Sequence, residues 1–182
     1  MRTEHAKQDL NSKFMAMRRQ GRRGFSDQGK REFEQKVVEI KRVTRVVAGG
    51  KRMRFRALVV IGDKKGKVGV GIRKGTDVTE AVQKAVNAAK KSMILVSLHN
   101  DTIPHEVLIK HKSSVVFLKP ARPGTGVIAG GSVRQVLDLV GVKNVLSKML
   151  GSSNKINNVM ATYNALARMK ARKKVAEKVK TA

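Results

Sequence analysis

The apolar positions change period several times along the chain, and each change marks an element. From Phe33 to Val47 the residues are β-branched and partly alternating, which predicts a strand. Ala48-Gly49-Gly50-Lys51-Arg52 follows as a turn, with two glycines free to take positive φ. From Met53 to Ile61 the alternation is clean. Met53, Phe55, Ala57, Val59 and Ile61 fall on one face, and Arg54 and Arg56 on the other. Gly62 to Lys67 is a tight basic hairpin turn, and Val68 to Ile72 a short third strand. Gly69 and Gly71 in that strand leave room for another backbone or a helix. The period then becomes helical. Asp77 is an N-cap with Glu80 three residues on, as in a capping box, and Val78, Ala81, Val82, Ala85, Val86, Ala89 and Met93 form a stripe. This part reads β-β-β-α, with the helix laid across the sheet.

A second unit begins after Asn100-Asp101. Thr102 to His111 and Ser113 to Leu118 are predicted strands. Residues 119–126 form a loop in which two prolines fix φ and two glycines release it. Ser132 is the expected N-cap of a helix carrying Val133, Val136, Leu137 and Val140, stopped by Gly141. Lys143 to Leu150 is a short strand. Asn154 to Met169 is a last helix with Ile156, Val159, Met160, Tyr163, Leu166 and Met169 on one side. The order β-β-α-β-α describes a two-layer α/β unit.

The expected fold class is therefore α+β. Its organisation is a basic extension over 1–32, a first domain over 33–101, a second over 102–169 and a basic tail over 170–182. Domains this small bury only about 60% of their unfolded surface, so the two are expected to lean on each other or on a partner.

Charge changes the picture most. The 182 residues hold 40 Lys+Arg against 13 Asp+Glu, a net of +27. Residues 37–76 alone carry 12 basic and 2 acidic residues, a net of +10, and they are the Val- and Gly-rich strands. The excess is thus built mainly into folded surface, and such self-repulsion calls for a polyanionic partner. Aromatic residues make up 3% with no Trp, which excludes a base-stacking platform. Cysteine is absent, so disulfides, Cys-ligated zinc and thiol nucleophiles are excluded. No apolar run approaches a membrane span, and the N-terminus shows no apolar signal core, so a cytoplasmic protein without membrane contact is expected.

Catalytic patterns are missing. No Gly-Lys pair is followed by Ser or Thr, as a phosphate-binding loop requires. Gly124, Gly126 and Gly130 miss the dinucleotide spacing by one residue. Glu39, Asp63, Glu80, Glu106 and Asp138 lie on different elements, and His99, His105 and His111 are split by the turn at Asn100. Neither a metal nor a cofactor is expected. What remains is a cationic set: Arg42, Arg45, Lys51, Arg52, Arg54, Arg56, Lys64, Lys65, Lys67, Arg73, Lys74 and, in the second unit, Arg122. Such groups neutralise phosphates and release counterions. The loops containing Gly49, Gly50 and Gly66 are expected to bring main-chain N–H groups to phosphates as well. With few aromatics, shape and backbone of folded, double-helical RNA are the expected target.

These residues resemble one family, bacterial small-subunit ribosomal protein five. The resemblance runs through Phe33 to Val43, Gly49-Gly50 to Asp63, Gly66 to Gly71, Ala81 to Lys91, Pro120 with Gly124 to Gly131, Gly141 to Leu146, and Gly151 to Asn157. It implies a first domain like the double-stranded-RNA-binding fold without its first helix. It also implies binding to small-subunit ribosomal RNA and contacts with proteins four and eight of that subunit. In the family, the region corresponding to Val43–Phe55 reaches toward the head–body neck and affects spectinomycin sensitivity. Gly124, Gly126 and Arg134 correspond to a protein interface that affects decoding accuracy, and the family helps line the messenger entry path. Ala48 stands where Lys is common, and Arg73 and Gly75 depart from the usual pattern. Two other classes fit the composition less closely: a nonspecific histone-like packer of nucleic acid, and an RNA-acting enzyme.

Overall fold

The structure is a computed structural model and describes residues 33–169. The extension over 1–32 and the tail over 170–182 lie outside the described residues. The first sheet is built from β1 (Glu34–Val47), β2 (Gly50–Gly62), β3 (Lys67–Gly75) and β4 (Met93–Leu95), antiparallel in that order, with α1 (Val78–Lys91) between β3 and β4. The second sheet has the order β5 (Val107–His111), β6 (Ser114–Pro120), β8 (Val145–Gly151), β7 (Val127–Ile128), with β7 parallel to β8. Helix α2 (Gly131–Val140) makes the crossover from β7 to β8, and α3 (Lys155–Arg168) closes the chain. The α+β class and its two-part order are as expected from the sequence.

The first sheet is covered on both faces over its inner half. Ala57, Val59 and Ile61 pack with Ala81, Ala85, Val86 and Ala89 of α1. Leu58 and Val60 point the other way. They join a larger core with Val133, Val136, Leu137 and Val140 of α2, Val159 and Leu166 of α3, and Ile109, Val116 and Leu118 of the second sheet. Hence Ala57 to Gly62 is buried without a break, as a strand covered on both sides must be. One apolar core crosses the boundary expected near residue 101.

Close approaches fix both contacts. On β3, Gly69, Gly71 and Gly75 face the backbone of Ala89, Ala85 and Ala81, one helical turn apart each, and a Cβ at any of the three would overlap that backbone. At the far end of the sheet, Gly62 lies against the backbone of Leu139. There Lys64 N–H donates to Leu139 O at 3.0 Å and Gly66 N–H to Val140 O at 2.9 Å. The β2–β3 turn thus caps the C-terminal carbonyls of α2. Two side-chain contacts reinforce the joint: Lys36 Nζ lies 3.3 Å from Asp138 Oδ2, and Tyr163 of α3 donates to Ser92 O at 2.8 Å.

Several element ends differ from expectation. Lys51 and Arg52 are strand residues, because β2 begins at Gly50 after a turn formed by Ala48 and Gly49. Met93 is not in the helix. Ser92 ends α1, its hydroxyl bonded to Val70 O at 2.9 Å, and Met93 pairs with Gly69. Of the strand expected from Thr102, only Val107–His111 forms, and Thr102 makes isolated bridges to His99 and Asn144. The N-cap of α2 is Gly130. Ser132 sits inside the first turn, buried beside Met149 Sδ. Asp77 does stand at the N-cap of α1, but Glu80 reaches past it. Its Oε2 accepts from the N–H of Thr76 at 2.8 Å and from the Thr76 hydroxyl at 2.7 Å, and its Oε1 accepts from Lys84.

Two outcomes follow. Gly71→Ala forces α1 off the sheet and lowers stability by about 1–3 kcal/mol, as overpacking does, read as a lower urea midpoint. The hydrogen bonds from Lys84 and then Thr76 hold the Glu80 carboxyl down at about 2, against an ordinary value of 4.5. A depressed carboxylate stabilises above its ordinary value and loses that contribution as pH falls toward its folded one. Glu80→Gln should therefore melt below the parent at neutral pH, and the gap should close between about pH 4.5 and 2, followed by thermal melts across that range.

Candidate nucleic-acid interface

The register of the first sheet decides which cations meet. Residues directly opposite in an antiparallel pair share a face. Lys41 is opposite Arg56, and Arg56 is opposite Lys74, so three cations form a row across β1, β2 and β3. Arg54 follows on the same face, and Arg45 stands opposite Arg52 beyond it. This is also the face of Leu58 and Val60. Its inner half is covered by α2 and α3, and its outer half presents these six cations.

The other expected residues lie elsewhere. Arg42, opposite Phe55, and Arg73, opposite Ala57, are on the α1 side of the sheet, as is Lys51. Past the last β2–β3 pair, Phe55 with Gly75, the hairpin continues as a two-stranded arm over residues 43–54. The arm is exposed nearly throughout, carries Val46 and Met53 in the open, and ends on Gly49 at φ 87° and Gly50 at φ 151°. Nothing lies within 4 Å of a Cβ built at either glycine, so main-chain approach to a ligand at this tip is unobstructed.

The second basic loop does not share that property. Its five N–H groups are all engaged within the fold: Asp63 to Lys67 O, Lys64 and Gly66 to the end of α2, and Lys65 and Lys67 to Asp63 Oδ1 at 2.7 and 2.9 Å. The expectation that its amides reach phosphates is corrected, because the turn must satisfy buried carbonyls of α2. Lys64 is further paired with Glu34, which its ammonium keeps below the ordinary carboxylate range. The turn and the hairpin tip sit at opposite ends of β2, about 40 Å apart for twelve strand steps. Lys64, Lys65 and Lys67 thus lie apart from the arginines of the hairpin arm.

In the second half, Arg122 is exposed in the loop between β6 and β7, and Arg134 is exposed in the first turns of α2. Gly124 and Gly126 take φ of 89° and 77° and donate their N–H groups to Asn144 Oδ1, both at 3.1 Å. Sequence reasoning gave no role to Asn144, or to Lys41. The register would have found Lys41: a two-residue loop at Ala48-Gly49 pairs it with Arg56.

Carboxylates explain why the arginine face stays positive. Among the described residues, Glu34, Glu39, Asp101, Asp138 and Glu80 pair with lysines, Asp63 caps its own turn, and Asp77 accepts from Thr79. All of these ion pairs use lysine, and none uses an arginine. On the six-cation face only Lys41 pairs with an acid among the described residues, Glu39 Oε1 at 3.4 Å. No group of three or more His, Cys, Asp or Glu suited to a metal occurs among the described residues. His111 is taken up by Asn164, at 3.2 Å, and His99 lies at its bridge to Thr102.

These features define a class of protein, a two-part α+β chain with an unneutralised arginine face. The family model described as Ribosomal protein S5, N-terminal domain, matches residues 33–97, and that for Ribosomal protein S5, C-terminal domain, matches 109–179. The chain is 49% identical over 146 residues to "Small ribosomal subunit protein uS5" of Thermotoga maritima, covering 80% of this chain and 82% of the relative. It is 50% identical over 146 residues to the protein of that name from Treponema pallidum subsp. pallidum, covering 80% and 85%. The chain belongs to the ribosomal protein S5 family, whose members are ribosomal proteins and not enzymes.

Like charges directly opposite in a sheet destabilise it by a few tenths to 1 kcal/mol. Removing one member of the Arg45–Arg52 pair should therefore help the isolated protein. Arg52→Thr is expected to raise stability by about 0.2–1 kcal/mol in low salt. The gain should shrink in high salt as screening weakens the repulsion, with urea midpoints at two ionic strengths as the check.

Proposed function

We propose that the protein is a structural constituent of the small ribosomal subunit in the cytoplasm, binding small-subunit ribosomal RNA through the outer half of its first sheet. The observation that carries this reading is the row of Lys41, Arg56 and Lys74 with Arg54, Arg52 and Arg45 beside it, like charges set in register with almost no acid near them. A fold keeps such an arrangement at a cost in free energy. Phosphates return that cost by counterion release and bidentate guanidinium contacts. The exposed hairpin arm, with Gly49, Gly50, Lys51 and Arg52 at its end, is the part shaped to enter RNA. Arg42, Arg73 and the Lys64–Lys67 turn serve as separate phosphate contacts.

From membership of the family we extend the reading to subunit assembly, to the architecture between head and body, to translational accuracy and to the messenger entry path. Proteins four and eight of the subunit are the proposed protein partners, with Gly124, Gly126 and Arg134 at an interface that influences accuracy. An apolar surface is available for such contacts. The outer face of the second sheet leaves Leu108, Ile128, Leu146 and Leu150 exposed, in register with Phe117, Lys110, Lys119 and Lys148, and that mixture suits a protein better than a phosphate backbone.

Arg54→Gln together with Arg56→Gln tests the RNA reading. Affinity for small-subunit ribosomal RNA should fall. The slope of log K against log salt should flatten by roughly 0.7–0.9 for each lost phosphate contact. An unchanged slope overturns the assignment of this face. Equal affinity for random duplex DNA would instead favour a nonspecific packer.

A further inference from the structure

The loop between β6 and β7 has little packing of its own. Nothing lies within 4 Å of a Cβ built at Gly124 or Gly126, and Arg122, Pro123, Gly124 and Thr125 are exposed. Its shape comes from polar bonds. Thr125 N–H donates to Arg122 O at 3.2 Å, and Val145 N–H to Gly126 O at 3.1 Å. The N–H groups of Gly124 and Gly126 converge on one acceptor, Asn144 Oδ1. An amide oxygen has two lone pairs, so these bonds saturate it.

Asn144 is itself pinned. It is buried, its N–H donates to Asp101 O at 3.2 Å, and its carbonyl accepts from the Thr102 hydroxyl at 2.6 Å. Its neighbour Lys143 donates to the same Asp101 carbonyl at 2.9 Å and pairs with the Asp101 carboxylate at 3.1 Å. A rigid acceptor from the base of β8 therefore holds a loop that would otherwise sample many states. Both glycines sit at positive φ, which lets the chain turn its two amides toward one point.

We propose that Asn144 is a positioning residue: it latches the 122–126 loop in one conformation so that Arg122 meets an RNA phosphate already ordered. A pre-ordered contact avoids the entropy of fixing the loop on binding. The proposal rests on the reading of Arg122 as an RNA contact, and the arms below separate the two.

Four full-length variants decide it: Asn144→Leu, Asn144→Asp, Arg122→Gln and the Leu–Gln double. Asn144→Leu should speed hydrogen exchange at Gly124 and Gly126 severalfold while the amides of Leu118 and Val136 stay protected. It should also weaken binding to purified small-subunit ribosomal RNA. Asn144→Asp keeps the acceptor and should leave exchange at the two glycines slow. The double variant should bind no worse than Arg122→Gln alone, since Asn144 acts through that side chain. Should Asn144→Leu fail to fold, Asn144→Ser replaces it, being too short to reach both amides. Unchanged exchange at the glycines overturns the latch, and additive losses overturn its action through Arg122. If Arg122→Gln binds RNA as tightly as the parent, the role of Arg122 and this proposal both fall. The arginine face, tested by its own variants, would then still stand.

Discussion

The contact on which the rest depends is the seating of the β2–β3 turn on the end of α2. Two amides of the turn, from Lys64 and Gly66, satisfy the Leu139 and Val140 carbonyls, and Gly62 lets the backbones meet. A helix end buried without such partners would be costly. Because the turn supplies them, α2 can lie against the first sheet, and Leu58 and Val60 gain a second cover. Each half alone is a small domain with too little core to be secure. Joined here, they share one core, and the arm of the first half projects from a base that is held on both faces. The same joint removes the turn's amides from any role with a ligand.

The distribution of charge follows from this architecture. Three of the described carboxylates hold separate segments together, Asp138 to β1, Glu34 to the turn, and Asp101 to Lys143 just ahead of β8. Their partners are lysines, compact charges on flexible stems that suit single surface pairs. Exposed pairs of this kind are individually weak. Their consequence is where they leave the excess. The described arginines enter none of these pairs, and Arg52, Arg54 and Arg56 fall on one face of β2 at every second residue. Among the described residues the cations could have been spread evenly, but the fold gathers six of them on one half-face of one sheet.

Much of this was legible in the chain. Alternation from Met53 to Ile61 gave the correct faces, and glycines at 69 and 71 announced a close helix. What escaped was decided by partners distant in sequence. Ser132 looks like a cap, but the N-cap falls at Gly130, two residues past β7 where it pairs with β8, and Ser132 packs beside Met149 inside the first turn. Met93 continues a helical stripe, but the Ser92 hydroxyl finds Val70 O and the chain turns into a strand. The Gly62–Lys67 turn has the glycines and lysines of a turn expected to offer its amides to phosphates, and only the presence of α2 reveals where those amides go. Within the candidate site, the arginines were legible as residue types, but their grouping was not. It depends on register, which places Lys41 with Arg56 and sends Arg42 and Arg73 to the opposite side.

The arm itself joins stability to function. A two-stranded hairpin beyond its third strand is marginal in water, and here it carries facing arginines and open Val46 and Met53. None of those features favours an ordered arm in the free protein. All of them favour one against a polyanion, where guanidinium repulsion is neutralised and the apolar side chains find cover. On the proposed reading, the energetic penalty of the arm is borne by the unassembled protein and relieved when RNA is bound, so the gain from relief adds to the affinity. Meanwhile the doubly covered base of the same strands fixes where the arm points. A long hairpin half buried and half exposed divides the two tasks along a single pair of strands, and the break between them falls at the last β2–β3 pair, Phe55 with Gly75.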